Sequence, residues 1–414
     1  MNMKTEPGSA AEQAGPRTRM LVIATLGFAV TFWAWALISP LAPSLATKLG
    51  LSSFQQSLIV AVPVIVGSLG RIPIGALTDR FGGRLMLPIV SVATIVPVLF
   101  LAFFGDQSLA TLLIGGFFLG IGGTSFAVGV PFVSAWFPPE RRGLAIGIFG
   151  VGMVGTAISA FTTVRLVEFG SSATPFLVTA AALAVYAVVA WLLLRDAPGQ
   201  VRPTTSMAKR VGETLKLGVT WQAAALYATL FGGYVAFSVY LPSLLKAEYD
   251  LSIGDASNRM AGFVILAVIM RPVGGFLSDK IGPVPVLATC LGAVVFGALI
   301  DATSPALFPI ATIAYLVMAA GLGAGSGATF ALVALLSPAG KVGSVTGVVG
   351  AAGGLGGFVP PLLMGVVYGA TGSYTIGFLL LALVAAAVLV FTLTSIRSVL
   401  AKRDAVEVQR EVAA

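Results

Sequence analysis

The chain has 414 residues, 57% of them hydrophobic and only 10% charged, with a formal net charge of +8. Soluble domains carry about 25% charged residues, so this ratio excludes a soluble globular protein. It points to an all-α membrane protein, because lipid forces each backbone group to pair within its own segment. One cysteine, Cys290, excludes an internal disulfide framework. The absence of histidine excludes His-based metal sites, proton relays and catalytic bases.

Residues 1–19 form a polar tail. The apolar stretch that follows from Met20 runs for about 25 residues, too long for the core of a cleaved signal, and reads as a first span. Runs long enough to cross a hydrocarbon layer of about 30 Å fall at 20–46, 54–78, 84–105, 108–136, 142–168, 173–195, 218–246, 256–279, 283–301, 304–336, 341–369 and 373–398. The longest polar connection, 196–216, divides these twelve into six-helix bundles at 20–195 and 217–398, with a tail at 399–414. With both termini inside, the inner segments hold 18 of the 24 Lys and Arg and the outer segments 4. This bias predicts cytoplasmic termini and an inner-membrane, multi-pass protein. It also accounts for the +8 without a nucleic-acid partner.

The remaining two cations, Arg71 and Arg271, lie inside spans two and eight. Each is followed by Gly at +4 and Asp at +8: Gly75 and Asp79 in one half, Gly275 and Asp279 in the other, all offset by 200. The same offset relates Gly143, Gly147 and Gly150 to Gly343, Gly347 and Gly350. A weaker echo, GTSFA at 123–127 and GATFA at 327–331, sets Phe126 against Phe330. Two parallel six-span repeats with a site at their interface describe a secondary transporter.

Eight residues at 1.5 Å each put Arg71 about 12 Å deeper than Asp79, and Arg271 at the same depth in its half. A charge at mid-span costs about 2.5–3.5 kcal/mol on insertion scales and defaults to function. Every acid maps to a loop, a tail or a helix end, so nothing in the spans is expected to neutralise the pair. Two forked guanidiniums facing one cavity suit a small planar oxyanion. Nitrate, nitrite, bicarbonate and formate fit that description; an ammonium or a neutral sugar does not.

The loops GALTDRFGGR (75–84) and GFLSDKIG (275–282) resemble the inter-span motif of the major facilitator superfamily, carried here by Gly75, Asp79, Arg80, Gly275, Asp279 and Lys280. That resemblance implies twelve helices in two pseudo-symmetric bundles and alternating access across a gate at these loops. The glycine would permit close helix approach, and the Asp would accept a bond across the gate. Span five reads GLAIGIFGVGMVGTAISAF and span eleven GSVTGVVGAAGGLGGFVPPLLMG. Glycines at every fourth position suit helix packing. The denser GGLGG at 353–357 suggests close backbone approach to a ligand, or flexibility.

With the paired arginines, these strings resemble the nitrate/nitrite porter family. The resemblance implies that Arg71 and Arg271 clamp the anion, that Phe126 and Phe231 sandwich it, and that Tyr227 hydrogen-bonds it. Gly152, Met153, Gly353 and Gly354 then stand in the signature strings beside it. Members commonly carry asparagine where this chain has Met153, a departure that bears on selectivity. The expected function is transport of nitrate and/or nitrite, with another small anion (a short carboxylate or cyanate) as the alternative. Neither a cofactor nor an enzymatic activity is expected, since nucleophile–base sets are missing. The partners are the anion and the bilayer, with the proton a candidate coupling ion, and the protein is expected to act as a monomer. No acid or histidine within a span carries a proton, which leans towards nitrate/nitrite exchange. The family includes both modes.

Overall fold

The computed structural model describes residues 14–198, 207–338 and 341–400. Most of both expected tails, and 199–206 of the expected linker, lie outside the described residues. Among the described residues, twelve helical segments are long and apolar enough to cross a membrane, from Gly15–Leu49 to Thr375–Leu400. An even number of crossings puts the start of the first span and the end of the last on one side, here termed the terminal face; the opposite side is the far face.

The spans are shaped where glycine and proline interrupt them. Span one divides into Ala14–Trp35 and Ile38–Leu49, with Pro40 in the first turn of the second piece. Proline lacks the N–H that would continue the ladder. Span two starts at a capping box on Ser52 and Gln55 and breaks at Gly70 into Ser53–Leu69 and Arg71–Phe81. Spans four and five each contain a 3₁₀ turn, Gly120–Thr124 and Val151–Val154. Span eight, by contrast, is one helix, Ile253–Ile281. The linker is not all loop: Met207–Leu215 is helical, and Glu213 pairs with Lys341 at 3.3 Å, tying it to the start of span eleven.

Small residues let the helices nest beside both arginines. Gly67 and Gly70 of span two meet Gly123 and Thr124 of span four. In the other half Gly274 abuts the Ala324 carbonyl and Gly327 abuts that of Arg271. Close approach was expected at Gly275, but nothing lies within 4 Å of a methyl placed there; Gly274, one residue earlier, makes it. The gate motifs end alike. Gly82 has φ 86° and ψ 154°, and Gly282 φ 85° and ψ 153°, a region open essentially only to glycine.

Hydrogen bonds join the two bundles at the level of the arginines and towards the far face. Ser39 Oγ donates to the Val239 carbonyl at 2.5 Å, linking spans one and seven. Arg165 Nη1 donates to Asn258 Oδ1 at 3.0 Å, linking spans five and eight.

Candidate anion site

The break at Gly70 brings Arg71 to the start of a new helix, and its side chain runs between spans four and eleven. It is 9% exposed. Its Nε donates to Gly123 O at 3.4 Å, and its Nη1 crosses the bundle interface to Gly350 O at 2.8 Å. Arg271 makes the reciprocal crossing. Its Nη1 lies 2.7 Å from Met153 Sδ in span five, and its Nη2 donates to Tyr227 Oη at 2.5 Å. Each guanidinium therefore touches the bundle it does not belong to. Among the described residues, neither is bonded to a carboxylate.

Aromatic faces surround both cations. Arg71 lies 5.2 Å from the Phe126 ring centroid; Arg271 lies 5.7, 5.4 and 5.8 Å from those of Tyr227, Phe231 and Phe330. Ring faces within about 6 Å attract a cation. Tyr227 stacks on Phe231 at 4.6 Å and meets Phe330 edge-on at 4.7 Å. Tyr227 is fully buried and within electrostatic reach of both arginines. The cleft beside Arg271 holds only about 10 Å³, lined by Met153, Phe231, Tyr234 and Ser326 among others.

The structure thus gathers Arg71, Arg271, Phe126, Tyr227, Phe231 and Met153 at the bundle interface. The glycines back this cluster. A methyl at Gly353 would overlap the Tyr227 ring, and one at Gly354 would overlap Ser68 Oγ. Gly152 faces Phe28 of span one. At these three positions the room is taken by neighbouring side chains. Asp79 and Asp279 follow Arg71 and Arg271 by eight residues, beside Arg80 and Lys280. The latter two rest on Phe81 at 5.2 Å and Phe276 at 4.5 Å.

Three neighbours went unassigned in the sequence. Phe330 had a signal, the echo that pairs it with Phe126. Tyr234, one turn after Phe231, hydrogen-bonds Thr156 across the interface at 3.3 Å. Nothing in the sequence joins those two residues, because their partnership depends on how spans five and seven face each other.

Twelve spans arranged as two repeats around a shared pair of charges define a class, the membrane transporters of facilitator type. The sequence pattern of the Major Facilitator Superfamily matches residues 24–260 and 223–411. Relatives include the Probable nitrate/nitrite transporter NarK2 of Mycobacterium tuberculosis (strain CDC 1551 / Oshkosh), 48% identical over 91% of this chain and 96% of that protein. The Nitrite extrusion protein of Bacillus subtilis (strain 168) is 36% identical over 89% and 91%. The Probable nitrate transporter NarT of Staphylococcus haemolyticus (strain JCSC1435) is 35% identical over 88% and 93%. The chain belongs to the Major Facilitator Superfamily and, within it, to the nitrate/nitrite porter family; it is a transporter and not an enzyme. Solved structures share its fold. A bacterial homologue of the human lysosomal transporter Spinster, inward-facing and occupied, superposes with TM-score 0.70 at 20% identity, covering 92% of this chain and 97% of that one. A D-xylose–proton symporter gives 0.72 at 16% identity, covering 91% and 97%.

Proposed function

We propose that this protein carries nitrate and nitrite across the inner membrane by alternating access, the anion held between Arg71 and Arg271. The observation that carries this reading is the reciprocal crossing of the two guanidiniums between bundles, with no bonded carboxylate among the described residues. A planar oxyanion offers charge-assisted, forked bonds. These are stronger than those to the Gly350 carbonyl or the Met153 thioether, so the anion would draw both arginines to itself. Phe126 and Phe231 would cover its faces, and Tyr227 would donate to an oxygen.

The positions of the bonds between the bundles support alternating access. The Ser39–Val239 and Arg165–Asn258 bonds would break when the far face opens. The glycine-terminated loops at Asp79–Arg80 and Asp279–Lys280 would gate the terminal face. The Lys and Arg bias supports a cytoplasmic position for that face. The Bacillus subtilis relative's name, a nitrite extrusion protein, favours a cycle in which nitrite leaves.

A second reading, a short carboxylate or cyanate as substrate, is favoured by Met153, which supplies no amide donor. Purified protein in liposomes loaded with nitrite tests both. Uptake of labelled nitrate that cyanate or formate cannot suppress supports the first reading, and suppression by either at equal concentration supports the second.

A further inference from the structure

One acid departs from the expectation that acids stay at solvated ends. Asp301 is the last residue of the helix Pro283–Asp301, yet only 3% of its surface is exposed. Among the described residues neither carboxyl oxygen has a hydrogen-bond partner. Removing a carboxylate from water without a counter-charge costs far more than removing the neutral acid, so such a group is retained where its proton is used.

The groups facing it are hydroxyls and another acid. Tyr249, at the end of span seven, and Tyr315, in span ten, lie within its electrostatic reach, and Glu248 lies within that of both tyrosines. Tyr374, at the start of span twelve, lies within electrostatic reach of Tyr315. Tyr374 Oη lies 3.3 Å from Tyr240 Oη, and Tyr240 is within hydrogen-bonding reach of Ser57 in the other bundle. Tyr240 and Tyr374 line a cavity of about 380 Å³ on the far face, between the two bundles, with Lys246 and Asp250 at its rim. On the outer end of span eight, Asp255 and Arg259 are paired with each other at 3.2 Å.

We propose that Asp301 is a proton-binding site of the far face, loaded through this cavity and the tyrosine hydroxyls, and that its protonation accompanies packing of the two bundles there. When the far face packs, the carboxylate takes one proton from water in the cavity. When the face opens and water reaches the carboxylate, that proton returns to it. Only O–H bonds form and break. The linkage has a definite sign. A group that must bind a proton to be buried favours the packed state at low pH and releases it as pH rises. The site therefore sets the balance between the two faces according to the pH of the far side. It rests on alternating access but not on the identity of the anion.

The test reads the far face directly. Gln56, which lines the cavity, is replaced by cysteine (Q56C), and labelling by a membrane-impermeant maleimide is followed at about pH 6 and pH 8, the range in which buried carboxyls titrate. The same measurement in a background also carrying D301N cancels the thiol's own pH dependence. The expected ratio of labelling, native to D301N, rises at least about threefold between the two pH values. D301E, which keeps a titratable carboxyl, retains the rise. A flat ratio overturns the proposal, as does pH-independent labelling of the chain with native Asp301, which needs no second variant. Restoration of low labelling at pH 8 by added sodium also overturns it, by assigning the site to a metal cation. Because labelling does not depend on nitrate, failure of the nitrate reading leaves this test intact.

Discussion

Arg271 of span eight rests 2.7 Å from the sulfur of Met153 in span five, so its hydrogen bond to the opposite bundle ends on a neutral, weak acceptor. The family resemblance implies an amide there. M153N would add a donor to the anion while leaving an acceptor for Arg271. A neutral hydrogen bond is worth about 1 kcal/mol, a factor of about 5 in affinity. Nitrate KM is expected to fall by about that factor, with insertion unchanged. An unchanged KM would mean that Met153 does not face the anion.

Gly353 and Gly347 lie six residues apart in span eleven, with different surroundings. A methyl at Gly353 would overlap the Tyr227 ring, whereas nothing lies within 4 Å of one at Gly347. Overpacking of this kind costs about 1–3 kcal/mol, and here it would push Tyr227 off Arg271. G353A is expected to lose transport and thermal stability together, and G347A to behave as wild type in both. Thermal unfolding in detergent alongside uptake measures the pair.

Gly282 separates strain from clash. The nearest atom to a methyl there is Pro285 Cδ at 4.0 Å, so space is available, but φ is 85°. G282A is expected to destabilise by about 1–3 kcal/mol through backbone strain alone. G82A adds a clash with the Asp196 carboxylate at 2.8 Å and is expected to cost more.

On the far face, Lys48 donates to Asp106 at 2.6 Å, and this bond, ahead of the opposing effect of burial, holds the Asp106 carboxyl below its ordinary value. A carboxyl depressed in the folded state lends stability above its unfolded value of about 3.9 and loses it as pH falls through the depressed one. Both side chains are well exposed, 56% and 31%, so the pair is worth at most about 1 kcal/mol. K48M is expected to lower the unfolding temperature slightly at pH 7, and by progressively less as the pH falls below about 4.

Arg71, Arg271 and the apolar periodicity made the spans and the principal charges legible from the chain alone. The 200-residue offset did the same for the repeat. A charge in an apolar run, or an exact internal echo, is a local signal. The burial of Asp301 was not legible, because an acid that ends an apolar run looks like a loop residue until spans seven and ten are seen to cover it. The crossing of Arg71 to Gly350 and the Tyr234–Thr156 bond depend on the mutual placement of the bundles, which no local pattern encodes. The glycines of span eleven carried two readings in the sequence. At Gly353 and Gly354 the structure fills their space with Tyr227 and Ser68.

The most direct measurement of the clamp is uptake of labelled nitrate into nitrite-loaded liposomes by wild type, R71K and R271K. Lysine keeps each charge but not the fork. The loss of one charge-assisted bond, about 1.5–3 kcal/mol, corresponds to a drop of at least about tenfold in uptake for each variant, with normal insertion. Wild-type uptake in either variant would contradict the clamp.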